Sequence, residues 1–137
     1  MILLDSSFIV AYLNEADENH SKAIRVADDL DKGKYGTPVM TDYIFDEVIT
    51  VMLMKVKNIA KASEVGEALL NSTLLLRIDE HIFDLAWSMF KKQDKPRFSF
   101  TDCTTIAICK VNGITKIATF DKEFQNLKEY TIIGPSV

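Results

Sequence analysis

Three carboxylates stand where an apolar run ends or a helix begins, Asp5, Asp102 and Asp121, and a fourth, Glu47, sits inside a predicted helix. Asp5 follows Met1-Ile2-Leu3-Leu4, a run that reads as a buried strand carrying its charge to the end of a sheet. Asp121 closes a second such run, and Asp102 opens a helix after Thr101. Glu47 lies among Ile44, Phe45, Val48 and Val51, where the polar face of a helix is narrow. A charge at a buried strand end is costly unless something pairs with it. Four carboxylates gathered in one place repel unless a cation sits among them. Such a set is a hard-metal site of oxygen ligands, and Mg²⁺ or Mn²⁺ fits it best. An ion of this kind keeps several waters and binds a substrate phosphate.

Taken singly, each acid has a plainer reading. Asp5, Asp102 and Asp121 all precede or open a helix, where a carboxylate caps free N–H groups and favours the helix dipole. Glu47 can lie on an exposed helix face. Only their joint placement separates a metal site from four unrelated acids, and that depends on the elements that carry them.

Short apolar runs alternate with amphipathic ones. Strands are predicted at 1–4, 35–40, 73–78, 116–119 and 131–133. Helices are predicted at 8–13, 18–31, 42–56, 59–70, 79–92, from Thr101 or Asp102 to Asn112, and at 122–127. Thr41 and Asp79 read as N-caps, and Gly113 as a helix stop. Strands joined through helices need crossover connections, hence a mainly parallel five-stranded sheet flanked by helices on both faces, an α/β fold. Ligands of such sheets bind beyond the carboxyl ends of the strands. Asp5 and Asp121 follow those ends, so all four acids can face one cleft. The third helix, 42–56, carries the stripe Ile44, Phe45, Val48, Ile49, Met52 and Leu53, with Val51 and Met54 off it. It reads as buried on two sides, one of them a dimer contact.

The 137 residues fit one domain, 1–137, with no repeat or linker. Hydrophobic residues at 47% and charged residues at 26% are ordinary for a globular protein. A net charge of −4 gives no general attraction to nucleic acid, so such contact must come from a local basic patch or a metal. No apolar run approaches the roughly 20 residues of a membrane span, and no signal segment is apparent, so the expected location is cytoplasmic. Cys103 and Cys109 share a helix about 9 Å apart, beyond the roughly 7 Å limit for a disulfide, and read as small buried hydrophobes. His20 and His81 offer no zinc spacing and read as surface groups. Lys91, Lys92, Lys95 and Arg97 form a loop that reads either as a contact for an RNA backbone or as a solvated turn. Trp87, Phe98, Phe100 and Phe120 read as core more than as stacking platforms for bases.

With these residues in view, the chain resembles the PIN-domain family, and within it the VapC-type toxin ribonucleases. The resemblance spans nearly the whole chain. It rests on Leu4-Asp5-Ser6-Ser7, on Asp46-Glu47, and above all on Ser99-Phe100-Thr101-Asp102 followed by Ala118-Thr119-Phe120-Asp121-Lys122-Glu123-Phe124. It implies that Asp5, Glu47, Asp102 and Asp121 bind Mg²⁺ or Mn²⁺, with the hydroxyls of Ser6 and Thr101 flanking the site. It implies hydrolysis of RNA to a 5′-phosphate and a 3′-hydroxyl, and an antitoxin partner that places a basic residue in the acidic cleft. The expected protein is an endoribonuclease of the toxin type and a homodimer through the helix around Val51 and Met54.

Three other readings stand beside it. A phosphorylatable receiver module wants paired acids after its first strand and a lysine after its fifth; this chain has Ser6-Ser7 and Gly134-Pro135 there. A PIN nuclease of RNA processing shares the site but not the toxin role. A catalytically idle domain that binds RNA or protein leaves the acidic set without a task.

Overall fold

A computed structural model describes residues 1–137. In chain order the elements are β1 (Ile2–Leu4), α1 (Ser6–Leu13), α2 (His20–Asp31), β2 (Pro38–Thr41), α3 (Asp42–Val56), α4 (Ile59–Ser72), β3 (Leu74–Leu76), α5 (Glu80–Lys91), α6 (Phe100–Asn112), β4 (Lys116–Ala118), α7 (Lys122–Gln125) and β5 (Thr131–Ile133). The five strands form one sheet in the order β3-β2-β1-β4-β5, and every pairing is parallel. Right-handed crossovers, the rule for parallel strands, put α1 to α4 on one face and α5 to α7 on the other. The fold is therefore α/β, with the helices on both faces that the alternation of runs predicts.

Strand identity follows from burial. Ile2, Leu3, Val39, Met40 and Ile117 are fully buried, as a sheet covered on both faces requires. The chain runs outward from β1 through β2 to β3, then returns to the other side of β1 for β4 and β5. The switch point therefore lies between β1 and β4. Leu4 pairs with Ala118 at the carboxyl ends of these strands, and the Asp5 N–H donates to Ala118 O at 3.0 Å. This is the crevice where open parallel sheets bind ligands.

Helix ends follow local chemistry. Thr41 Oγ1 accepts from Ile44 N at 3.0 Å, and Asp79 Oδ1 accepts from Ile82 N at 2.9 Å. Gly113 closes α6 in the left-handed region at φ 66, where a Cβ is unfavourable. α6 starts at Phe100, with Ser99 as its cap, rather than at Thr101 or Asp102. The reason is a reciprocal pair: Ser99 Oγ accepts from Asp102 N, and Asp102 Oδ2 accepts from Ser99 N. α1 likewise begins at Ser6, two residues before the apolar periodicity shows it.

α3 leaves open, within one chain, the side expected to meet a second copy. Ile44, Val48 and Met52 are buried and Phe45, Ile49 and Leu53 half-buried, but Met54 is 70% exposed. Within one chain α3 is covered on one side only. Cys103 and Cys109 are both free and buried, and burial pushes the Cys109 thiol up to about 12. His81 is exposed, whereas His20 is half-buried and its Nδ1 lies 2.8 Å from Ala11 O, joining α2 to α1. No helix is long and apolar enough to cross a membrane.

Candidate active site

β1 carries Asp5 to the switch point, where it is 4% exposed. It occupies the N-cap position of α1, yet its side chain makes no cap bond. Its Oδ2 instead accepts from Thr119 Oγ1 at 2.7 Å and from Ser7 Oγ at 2.8 Å. The plainer reading of Asp5 as a capping residue therefore fails on the geometry. Burial is the largest influence on its carboxyl and raises its pKa. The hydroxyls of Thr119 and Ser7 and the Ser6 N–H pull it back down, and the charge of Asp121 raises it again.

Asp102, half-buried in the first turn of α6, is pushed up to about 6. Burial leads, and the charges of Asp5 and Asp121 add to it, while the bonds from Ser99 oppose it. Asp121 follows β4 and caps α7, its Oδ1 accepting from Glu123 N at 2.9 Å. Asp5, Asp102 and Asp121 thus act on one another electrostatically at one end of the sheet. Two of them keep their plain capping roles as well.

Glu47 stands apart. It is exposed on α3, and it is not among the charges that act on Asp5 or Asp102. Its link to the site is a hydrogen bond from Ser6 Oγ to Glu47 Oε1, next to Asp5 in the chain. Thr101 is half-buried, and its carbonyl accepts from Thr104 Oγ1 at 2.6 Å; no hydrogen bond ties it to any of the four acids.

No three His, Cys, Asp or Glu side chains form a ready-made metal cluster. Mg²⁺ does not demand one, since it binds through one or two carboxylates and retains waters. The donor chemistry fits: hard oxygens only, with Asp5 buried and Asp102 and Asp121 half-buried beside it.

Ser7, Thr119 and Ser99 are hydrogen-bonding neighbours of Asp5 and Asp102 to which the sequence reading assigns no role. For Ser7 and Thr119 the only signal is position: a second hydroxyl two residues after Asp5, and a threonine two residues before Asp121.

The basic loop is divided in its duties. Arg97 Nε donates to Glu123 Oε2 at 2.8 Å, tying the loop to α7, and Lys91 lies over the Trp87 ring. Gln93 clamps the loop by bonding both the N–H and the carbonyl of Phe98. Phe98, Phe100 and Phe120 pack against the core, while Trp87 remains 46% exposed beside Phe90.

This is an α/β domain with interacting carboxylates at the switch point of a parallel sheet. A PIN-domain family model matches residues 2–130, and the chain belongs to the PIN-domain family. It is 27% identical over 127 residues to the 23S rRNA-specific endonuclease VapC20 of Mycobacterium tuberculosis, across 90% of this chain and 92% of that protein. The crystal structure of M. tuberculosis VapC20, a sarcin–ricin loop cleaving toxin, matches with a TM-score of 0.85 at 21% identity. That match covers 98% of this chain and 100% of the other. VapBC2 of Rickettsia felis, bound to promoter DNA, matches with a TM-score of 0.69 at 12% identity, covering 96% of this chain and 97% of that one. A toxin–antitoxin complex from Klebsiella pneumoniae gives 0.67 at 14%, covering 96% of each chain.

Proposed function

We propose that this chain is a divalent-metal-dependent endoribonuclease of the toxin type. The observation that carries the reading is the trio Asp5, Asp102 and Asp121, which repel one another at the switch point of the sheet. Kinship with a 23S rRNA-specific endonuclease supports RNA as the substrate.

In this reading Asp5, Glu47, Asp102 and Asp121 are the oxygen donors for Mg²⁺ or Mn²⁺. When bound, the ion supplies Lewis acidity toward the phosphodiester and makes water a better nucleophile. Asp5 presents the oxygen that its two hydroxyl partners leave free. Asp102 comes from the start of α6 and Asp121 from the segment after β4, so three parts of the chain would supply the donors. Glu47, at the margin and joined through Ser6, is the carboxylate best placed to orient water or accept its proton. Ser6 and Thr101 flank the acids with hydroxyls. The products are a 5′-phosphate and a 3′-hydroxyl.

An antitoxin with a basic residue directed at these acids fits their charge. A second copy of the chain fits the open side of α3 around Val51 and Met54. With RNA as its target, the protein works in the cytoplasm.

Purified protein incubated with ribosomal RNA and Mn²⁺ tests the reading. Cleavage leaving 5′-phosphates, abolished by EDTA and by Asp102→Asn, is expected. Intact RNA, or cleavage indifferent to both, overturns it.

A further inference from the structure

We propose that Ser7 and Thr119 are positioning residues that aim Asp5 and hold Asp121 beside it. The proposal rests on the metal-site reading above and adds to it how the site is held ready.

Each hydroxyl has one proton to give. Ser7 Oγ accepts the Phe120 N–H at 3.0 Å, and Thr119 Oγ1 accepts the Asp121 N–H at 3.0 Å. Both hydroxyls then donate to the same atom, Asp5 Oδ2, at 2.8 and 2.7 Å. The two hydroxyl oxygens lie 3.0 Å apart, but no proton remains for a bond between them. Every bond therefore runs one way, from backbone N–H through hydroxyl to carboxylate.

Two consequences follow. Oδ2 is taken by two hydroxyl donors, which leaves Oδ1 as the oxygen for a cation. The same hydroxyls grip the backbone at Phe120 and Asp121, so one set of contacts places acids from both β1 and β4. Thr119 is fully buried and Ser7 half-buried, which shields these bonds from competing water. An aspartate serving only as a cap would bond the second or third N–H of α1, and Asp5 makes no such cap bond. Hydrogen-bonding partners of this kind set ligand orientation and basicity in metal sites generally.

Mn²⁺ affinity, read from free Mn²⁺ by electron paramagnetic resonance, tests the proposal on wild type, Asp5→Asn, Thr119→Val, Thr119→Ser and Ser7→Ala. Thr119→Val keeps the shape and removes the hydroxyl; Thr119→Ser does the reverse. Thr119→Val and Ser7→Ala are expected to weaken Mn²⁺ binding about 10- to 100-fold. Thr119→Ser is expected to bind as wild type does while melting at a lower temperature, because a buried methyl is gone. Ser7→Ala keeps the test open if Thr119→Val does not fold. Wild-type affinity in a folded Thr119→Val or Ser7→Ala, with binding lost in Asp5→Asn, overturns the positioning role alone. Equal weakening in Thr119→Val and Thr119→Ser also overturns it, since packing would then be the cause. No Mn²⁺ binding by wild type overturns the metal-site reading and this proposal with it.

Discussion

Asp5 and Asp102 hold the chemistry at the residue scale. Both carboxyls sit above the ordinary range, Asp102 at about 6, because burial and neighbouring acids disfavour their charge. Asp5→Asn keeps the shape but removes the charge, and is expected to slow cleavage at least about 100-fold, since several kcal/mol of transition-state stabilisation are at stake. A single-turnover assay with labelled RNA checks this. The raised values also fix a pH dependence. Between about pH 4 and 6 the folded metal-free protein holds protons that the unfolded chain has released. That contribution is fully present below the unfolded value of 3.8 and is lost as pH rises through about 6. Urea denaturation in EDTA should therefore show wild-type stability falling more steeply across this window than that of Asp102→Asn. Parallel curves would contradict the coupling of these acids.

At the scale of elements, α6 is the piece whose ends matter most. Its start is set by the reciprocal bonds of Ser99 and Asp102, and its stop by Gly113. Ser99→Ala removes the cap and is expected to cost about 1 kcal/mol, seen as a lower urea midpoint with an unchanged slope. It also frees Asp102 from one of its two holds, so cleavage should fall further than stability alone explains. Capping is local chemistry, which is why Thr41, Asp79 and Gly113 could be read from neighbouring residues. Ser99 escaped because Thr101-Asp102 offers the same signal two residues later, and propensity alone does not choose between them. The bonds of Ser7 and Thr119 to Asp5 were illegible for a different reason. Ser7 and Thr119 are 112 positions apart, and only the β1–β4 register brings them together. What covers the open side of α3 was illegible too, because an apolar helix face looks the same whether its cover is this chain or another.

For the whole molecule, the parallel sheet was implied by the alternation of runs, though not the strand order that centres β1, and so was the placement of Asp5 and Asp121 at carboxyl ends. How tightly the four acids meet was not implied, since side-chain reach depends on loops and caps. Three interact and Glu47 stands aside, which suits an ion that keeps its waters better than a closed cage. The exposed Met54 side of α3 carries a prediction at this scale. Sedimentation at high micromolar concentration should show a dimer that Met54→Asp converts to a folded monomer; a monomeric wild type would rule this contact out.

The most direct measurement is anomalous X-ray scattering from crystals of the wild-type protein grown with Mn²⁺. A peak bounded by the carboxylates of Asp5, Asp102 and Asp121, and lost in Asp5→Asn, is the predicted result. RNA cleavage in Mn²⁺ by protein whose crystals show no ion there, or show it bound elsewhere, would contradict the account.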